Sequence, residues 1–292
     1  MVKVTDLNYS LEKRLIKKLD IIIKRVEREH PKKDACLSIE GLEGEGKTNT
    51  SCAIAYYMKH QTGREIYLSF RLEPLIEFAK KNEKKIIIWD EPALDSLSTD
   101  WYKKTNKDLI RLLMVVRKKR HVFIFNFTKF YKFSEYIIVD RAIGLIHMYS
   151  RHQIESGRFM YIRKRGLETL YNAYRRSKKR LYAKLCCVRG TFPEVLEKKF
   201  TQMGINILTE KGIINNATYQ DYEKLKDEAI ESVGVEDEKV NLKEIQLKML
   251  KYKVSQLSKV LGIEAAKIAE PLDIKPQTLS MWQERYKLVK KP

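Results

Sequence analysis

The chain has 292 residues, of which 43% are hydrophobic, a share typical of globular proteins, so disorder along the whole length is excluded. It carries 58 Lys and Arg against 38 Asp and Glu, and the excess is concentrated in residues 101–200, with 25 basic and 7 acidic side chains. The first hundred residues and the last ninety-two are each close to neutral. A block this one-sided indicates a polyanionic partner, with nucleic acid ahead of anionic lipid.

Membrane insertion and secretion are not expected. The longest apolar runs, around 112–116 and 122–127, fall far short of the ~18 to 20 residues that a spanning helix needs. The first thirty residues are amphipathic and basic, without the continuous apolar region of a signal peptide. Two isolated cysteines and an adjacent pair fit a reducing compartment. We therefore expect a cytoplasmic protein with no membrane contact.

Apolar periodicity predicts an α/β protein in which strands and helices alternate. An amphipathic helix over 10–29 precedes a strand at 35–39, a glycine-rich turn and a helix over 47–58. Strands this apolar, separated by helices, are typical of a parallel sheet covered by helices on both faces. The further predicted elements are strands at 65–70, 85–89, 122–127 and 136–139, helices at 73–82 and 108–119, and an appended hairpin of 145–150 and 158–163.

The glycine-rich turn carries the clearest motif. It matches GxxxxGK[ST] and lies between a predicted strand and a predicted helix, the context that a phosphate-binding loop (P-loop) requires. Glycines let successive backbone N–H groups face the phosphates, the lysine reaches the β- and γ-phosphates, and the threonine ligates Mg²⁺. The motif predicts ATP and Mg²⁺ as cofactors, bound by Gly41, Leu42, Glu43, Gly44, Glu45, Gly46, Lys47, Thr48 and Asn49.

A second acidic motif follows the apolar strand at 86–89. In this Walker B pattern, Asp90 would hold Mg²⁺ through water, and Glu91 would polarise the water that attacks the γ-phosphate. A glutamate directly after the aspartate favours an ATPase over a kinase or a GTPase. The alternative is an ordinary acidic loop after a strand. Transporter-type ATPases share the pair, but the segment 77–84 is not their LSGGQ signature.

The order of elements after Glu91 carries a family resemblance. A predicted helix ends in the basic run 117–121, and the next strand ends in Asn126. With the two motifs above, this order resembles the P-loop ATPases related to HerA and FtsK, including Zot-like and viral DNA-packaging ATPases. The resemblance implies a RecA/ASCE-like fold and a ring, commonly a hexamer, around double-stranded DNA. Zot-like proteins of filamentous phages also carry a membrane segment. None is predicted in this sequence, which argues against a role in phage extrusion.

Two further catalytic assignments depend on this resemblance. Asn126 stands where the family usually has a glutamine that senses the γ-phosphate, although a strand-end cap is the alternative. The family also implies an arginine donated by the neighbouring subunit. Arg117, Arg120, Arg141 and Arg151 are candidates, with Arg117 and Arg141 preferred, and each is also explicable as a surface or DNA-facing charge.

The basic block predicts contacts with nucleic acid that are sensitive to salt and independent of sequence. Four tyrosines, at positions 161, 171, 174 and 182, are interleaved with it. They could stack on unpaired bases, but packing against the core is favoured. The predicted DNA contacts in this block are Arg163, Lys164, Arg165, Arg175, Arg176, Lys178, Lys179 and Arg180.

The segment 265–282 resembles a helix-turn-helix. Its second helix would begin at Pro276 and turn polar side chains toward a major groove. Asp273 and Lys275 depart from the usual turn glycine and Ser or Thr cap, and such modules also bind proteins. The candidate base contacts are Gln277, Thr278, Met281, Gln283 and Arg285.

These features predict four segments: an N-terminal amphipathic helix (1–32), a P-loop ATPase domain with a basic extension (33–190), a helical linker region (191–245) and a smaller all-α, helix-turn-helix-like module (246–292). The favoured function is an oligomeric, DNA-dependent ATPase that translocates or packages double-stranded DNA for a virus, plasmid or other mobile element. The alternative is an ATP-switched DNA-binding protein for replication initiation, helicase loading or transposition control, without translocation. A signalling NTPase with a basic surface is a third, weaker possibility.

Overall fold

The computed structural model describes residues 2–4, 9–90, 99–151, 155–192 and 196–229. The chain divides into two compact units, Met1–Glu231 and Ser232–Pro292. The second unit, with the predicted helix-turn-helix, lies outside the described residues. Within the part that is described, no helix combines the length and apolar character needed to cross a lipid bilayer.

The described elements alternate between strands and helices through most of the chain. The strands are β1 (Val2–Val4), β2 (Tyr9–Leu11), β3 (Ala35–Glu40), β4 (Ile66–Ser69), β5 (Ile86–Asp90), β6 (Val122–Phe127), β7 (Ala142–Arg151), β8 (Glu155–Arg163), β9 (Cys186–Thr191), β10 (Ile205–Thr209) and β11 (Gly212–Ile214). The α-helices are α1 (Lys13–Glu27), α2 (Lys47–Thr62), α3 (Leu72–Lys81), α4 (Thr99–Val115), α5 (Lys164–Ser177), α6 (Tyr182–Leu185) and α7 (Leu196–Met203), followed by a helix over 219–229.

One nine-stranded sheet organises the molecule, in the order β11-β10-β4-β5-β6-β3-β7-β8-β9. The six strands from β10 to β7 are parallel, and β11, β8 and β9 join antiparallel at the margins. Every residue of β3, β4, β5 and β6 is buried, because helices cover both faces. The predicted α/β class, a parallel sheet covered by helices, is confirmed.

Alternation along the central strands separates two apolar layers. Ile86 and Ile88 pack on the face covered by α1, α2 and α7, whereas Ile87 and Trp89 pack on the face covered by α3, α4 and α5. Successive strand side chains point to opposite faces, so a fully apolar strand supplies both layers at once. The continuous apolar runs in the sequence arise for this reason.

The segment predicted as a strand at 136–139 differs in the structure. Residues Tyr136–Arg141 form a π-helix, and the strand that pairs with β3 on this side is β7. The β-branched run resembles a strand in sequence, but Ile137 and Ile138 are buried here in a helical turn. The backbone N–H groups of these two residues both donate to the carbonyl of Ser134. The predicted hairpin is present as β7 and β8, and β7 joins it to the main sheet by pairing with β3.

The region predicted as a helical linker also contributes strands. β10 pairs in parallel with β4, from Ile205 opposite Ile66 to Leu208 opposite Ser69, and β11 folds back on it. Ile205, Ile207 and Leu208 are buried, so this short run completes the sheet rather than spanning solvent. Helices α7 and 219–229 flank it, as the mostly helical character of the region suggested.

Candidate nucleotide site

The P-loop connects the carboxyl end of β3 to the N-terminus of α2. Gly44 and Gly46 have φ angles of 76° and 85°, a left-handed conformation that glycine adopts without steric cost. α2 begins at Lys47, and its N-cap residue, Gly46, provides no capping side chain. This geometry suits a bound phosphate, since the backbone N–H groups at a helix N-terminus together attract anions.

The hairpin of β7 and β8 braces the loop from outside. A Cβ on Gly41 would lie 2.9 Å from both the Cβ and the carbonyl oxygen of Met148, so only glycine fits there. Ser150 Oγ donates to Glu45 Oε2 at 2.8 Å, and the Gly157 N–H donates to the Glu45 carbonyl at 3.3 Å. One of the two acidic side chains in the loop is therefore held by the hairpin.

The P-loop threonine contacts the predicted Mg²⁺ carboxylate, while the lysine donates back to the loop. Thr48 Oγ1 donates to Asp90 Oδ2 at 2.8 Å, across 42 residues of sequence. Lys47 Nζ donates to the carbonyl oxygens of Gly41 and Leu42 at 2.7 and 2.8 Å. Burial lowers the pKa of Lys47, and the negative charge of Asp90 and the nearby glutamates opposes that shift.

Asn126 lies between these groups because β6 separates β3 from β5. Its Nδ2 donates to Asp90 Oδ1 at 2.8 Å and to Ser51 Oγ at 3.2 Å. The carboxylate only accepts, so the amide nitrogen must face it. The Oδ1 atom of Asn126 is then buried with no hydrogen-bond partner among the described residues. An unpaired acceptor costs about 1 to 3 kcal/mol, which a ligand or its water can recover.

A residue that sequence reasoning missed completes the site. Tyr222, on the helix over 219–229, donates its hydroxyl to Asp90 Oδ2 at 3.2 Å and is 1% exposed. Burial, and then the charge of Asp90, raise the pKa of this phenol, so it remains a donor. No local motif marks it, because it reaches Asp90 across 132 residues of sequence.

A buried polar cluster borders the loop on the side of β7. Glu40, the last residue of β3, accepts hydrogen bonds from the Tyr182 hydroxyl at 2.9 Å and from His147 Nδ1 at 2.7 Å. The rings of His147 and Tyr182 stack with centroids 3.7 Å apart. Burial followed by the charge of Glu40 raises the pKa of Tyr182. The cluster thus connects the residue before the P-loop to the chain that follows α5.

Three of the candidate arginines lie away from this edge of the sheet, whereas Arg151 ends β7 on the P-loop side. Arg120 is buried and donates to the carbonyl oxygens of Val26 and Glu27 at 2.8 and 2.6 Å. Arg141 forms a buried ion pair with Asp34, just before β3, at the end of the strand opposite the P-loop. Arg117 is exposed in the turn before β6. The side chain of Arg151, and Glu91 entirely, lie outside the described residues.

The basic block separates into two exposed groups. Lys164 begins α5 and donates to the carbonyls of Val139 and Asp140, on the side away from the P-loop. α5 has 14 residues and so extends about 21 Å, and its other end reaches the carboxyl edge of the sheet. We call the exposed residues at that end the basic turn: Arg175, Arg176, Lys178, Lys179 and Arg180.

The interleaved tyrosines are mostly structural. Tyr161, Tyr171 and Tyr182 are buried, as the favoured interpretation predicted. Tyr174 is half-buried and stacks on Tyr131 with ring centroids 3.6 Å apart. Lys178 Nζ lies 5.0 Å from the Tyr174 ring centroid, so the tyrosine supports the basic turn. The other candidate DNA contacts, Gln277, Thr278, Met281, Gln283 and Arg285, lie outside the described residues.

Three features define a P-loop NTPase fold. The sheet is parallel and covered by helices, the P-loop connects β3 to α2, and β5, which ends in Asp90, lies two positions from β3 in the sheet. No family model and no curated protein sequence matches the chain.

Three solved structures show low similarity to the chain. The FIGL-1 AAA domain in complex with ADP is 16% identical (TM-score 0.36), and the match covers 51% of this chain and 56% of that one. The flagellar accessory protein FlaH from Methanocaldococcus jannaschii is 16% identical (TM-score 0.27; 54% and 87% covered). A RuvB variant from Thermotoga maritima is 12% identical (TM-score 0.30; 95% and 87% covered). At these TM-scores the similarities carry no argument about function.

Proposed function

We propose that this chain is an Mg²⁺-dependent ATPase that acts on DNA. The observation that carries the proposal is the network in which Thr48 of the P-loop and Asn126 of β6 both donate to Asp90. Carboxylate and hydroxyl oxygens are the ligands that Mg²⁺ prefers, and Lys47 lies one residue from the threonine. The described residues fit a nucleotide because Gly44 and Gly46 curl the loop with positive φ before α2, and because Asn126 Oδ1 is buried without a hydrogen-bond partner among the described residues.

Each residue of the network has a role in the proposal. The backbone of residues 41–49 and the Lys47 ammonium bind the phosphates, while Thr48 and Asp90 hold Mg²⁺. Bound Mg²⁺ neutralises developing charge on the phosphates. Asn126 orients a water or a γ-phosphate oxygen. From sequence alone, Glu91 is the base that activates the attacking water.

The basic turn supports DNA as the partner. Its five cations are exposed, and the ion pair of Arg175 with Glu135, at 3.7 Å, is weak because both side chains are largely solvated. The turn lies at the same edge of the sheet as the P-loop and adjoins Tyr182, which donates to Glu40. DNA bound there would lie beside the nucleotide rather than on a remote tail.

The finer proposal is a ring motor, with a hexamer favoured, that translocates or packages double-stranded DNA for a virus, plasmid or other mobile element. In such a ring, Arg117 is the better candidate for the arginine supplied to a neighbouring site, because it is exposed. Arg141 would first have to leave its ion pair with Asp34. The helix-turn-helix-like module would add the contacts of residues 277–285 to a DNA site.

The alternative is an ATP-switched DNA-binding protein without translocation. It is favoured by the contact of Tyr222 with Asp90, which joins the nucleotide site to the helix over 219–229, close in sequence to the start of the second unit at Ser232. Such a connection suits a protein in which nucleotide changes the state of an attached module.

Measurements of ATP turnover and of triplex-strand displacement distinguish the motor from the ATP-switched DNA-binding protein. A motor predicts ATP hydrolysis stimulated by long duplex DNA and displacement of a bound triplex strand. Lys47→Ala should abolish nucleotide binding, measured by titration calorimetry, with the exposed Lys80→Ala as the matched control. Slow hydrolysis with stable DNA complexes would favour the switch. Normal ATP affinity in Lys47→Ala would refute the P-loop assignment.

A further inference from the structure

A groove between α4 and α5 presents basic residues that are not among the DNA contacts predicted from the sequence. The groove has a volume of about 690 Å³, and residues 131–135 form its floor. We propose that this α4–α5 groove binds the sugar–phosphate backbone of duplex DNA, which continues from it over Arg175 to the basic turn. The inference rests on the proposed function, to which it adds a second set of phosphate contacts and a path for the DNA.

The packing of the two helices on the sheet forms the groove. α4 and α5 cover the same face of the sheet, and both contact the π-helix Tyr136–Arg141. The Tyr171 hydroxyl of α5 donates to the carbonyl of Phe133, a buried floor residue, at 3.1 Å. The floor follows the carboxyl end of β6, which is parallel to β3. The groove therefore lies toward the edge of the sheet that carries the P-loop.

The lining of the groove is strongly basic. Glu135 is the one acidic residue among its described lining residues, and four exposed cations line it: Lys107, Arg111, Lys132 and Arg175. Arg111 pairs with Asp108 at 3.4 Å, and Arg175 pairs with Glu135 at 3.7 Å. Each arginine side chain is more than half exposed, at 65% and 62%, so these ion pairs are weak. Phosphates can replace the two carboxylates at little cost.

The spacing of the cations fits a row of phosphates rather than one small anion. A site for a single anion needs donors that converge on a point, whereas these cations are distributed over two helices and the floor. Lys107 and Arg111 share one face of α4 and lie about 6 Å apart along its axis. Duplex DNA carries one charge per about 1.7 Å of its axis, so each cation can neutralise a separate phosphate.

Arg175 makes the groove continuous with the basic turn. It lines the groove and is also the first residue of the basic turn, and its guanidinium lies 5.8 Å from the Tyr171 ring centroid. The two surfaces thus form one positive band from α4 to the end of α5. A linear polyanion such as duplex DNA matches a band of this kind better than a compact ligand does.

The test measures binding of a fluorescent duplex of about 30 base pairs to the full-length protein by anisotropy at several salt concentrations. Lys107→Gln combined with Arg111→Gln should bind the duplex about 3- to 10-fold more weakly. The slope of log K against log salt should fall by about 1.8, which is about 0.9 for each phosphate that is no longer neutralised. Mg²⁺–ADP affinity, measured by calorimetry, should not change, since neither residue belongs to the nucleotide site.

Two matched variants separate the loss of these charges from other effects. Lys80→Gln combined with Lys81→Gln removes the same charge from exposed positions on α3 and should bind DNA like the wild type. Lys107→Arg combined with Arg111→Lys keeps the charge of the groove and should also match the wild type. Weak binding by this charge-retaining variant would assign the effect to altered packing and overturn the inference.

The remaining outcomes distinguish this inference from the proposed function. Wild-type affinity and slope in the double Gln variant of the groove, with weaker binding after neutralisation of the basic turn, would overturn the inference alone. If the wild type binds no duplex even at low salt, DNA as the proposed partner fails together with the inference. Displacement of the duplex by polyglutamate as readily as by unlabelled duplex would also overturn it, because the groove would then suit an acidic protein.

Discussion

At the scale of single residues, the candidate site is organised around Asp90. Three donors from three elements, Thr48 on α2, Asn126 on β6 and Tyr222 on the helix over 219–229, converge on its carboxylate, which is 7% exposed. Each hydrogen bond to a charged group contributes about 1.5 to 3 kcal/mol, and together they compensate for burying the charge. The same network orients Asp90 toward the P-loop.

The proposed catalytic role of Glu91 is testable by replacing its carboxylate with an amide. Glu91→Gln removes the proposed base but keeps the size and polarity of the side chain, so ATP should still bind while turnover falls by roughly 100-fold or more. Titration calorimetry and phosphate release measure the two effects. The exposed Glu77→Gln is the control and should leave both unchanged. Turnover that persists in Glu91→Gln would mean that another group activates the water.

The buried His121 should make the stability of the protein depend on pH. The ring is fully buried, accepts from the Lys85 N–H at 3.2 Å and contacts the Ala79 carbonyl at 3.0 Å. Burial lowers its pKa from the usual 6.5, so the unfolded chain binds more protons than the folded one below that value. The free energy of unfolding should therefore decrease as the pH falls through 6.5 and below.

Urea denaturation between about pH 8 and about pH 5 measures this effect. His121→Asn should be less stable than the wild type near pH 8, since the buried imidazole and its hydrogen bonds are lost. Its stability should nevertheless change less with pH. His60→Asn, at an exposed position, should keep the wild-type profile. An unaltered slope in His121→Asn would assign the pH dependence to other groups.

Elements that a short apolar run or an explicit motif marks in the sequence could be predicted. The strands β3, β5 and β6 are short apolar runs, and the P-loop glycines specify their own turn. The π-helix Tyr136–Arg141 could not be predicted, because a β-branched run has the same composition in either state and tertiary packing selects the helix. Nor could Tyr222 or β10, since their partners lie more than a hundred residues away.

The two ends of α5 should differ in their contribution to DNA affinity. Changing Arg175, Arg176, Lys178, Lys179 and Arg180 to Gln should weaken binding and reduce the slope of log K against log salt by about 0.9 for each phosphate that is no longer neutralised. Arg163 and Arg165, about 21 Å away at the start of α5, provide the comparison when changed to Gln. Fluorescence anisotropy at several salt concentrations measures both variants. An unchanged slope after neutralising the basic turn would contradict its role.

At the scale of the whole molecule, strands from the later part of the described chain complete the sheet on both sides. β9 forms one edge, and β10 with β11 forms the other, next to β4. The connection between the two edges includes α7, which packs on α2. The P-loop and Asp90 thus lie in the middle of a sheet whose margins are formed by later parts of the sequence.

Truncation should reveal this dependence. A chain ending at residue 231 retains the first compact unit, so it should fold and bind nucleotide. A chain ending at residue 204 lacks β10, β11 and Tyr222, which uncovers the edge of β4 and removes one donor from Asp90. Its thermal unfolding should be non-cooperative, and its nucleotide affinity should be lost. Circular dichroism melts and calorimetry check both fragments, and a cooperative melt of the shorter chain would contradict the expectation.

The pairing of β10 with β4 also affects how the protein is made. Ile66 pairs with Ile205, 139 residues later, so its strand gains a second neighbour only after most of the chain has been synthesised. At the usual rate of synthesis, β4 remains an open sheet edge for on the order of ten seconds after it emerges from the ribosome. Unpaired strand edges are templates for aggregation. Nascent chains of this protein should therefore depend on chaperones more than its final, fully paired sheet suggests.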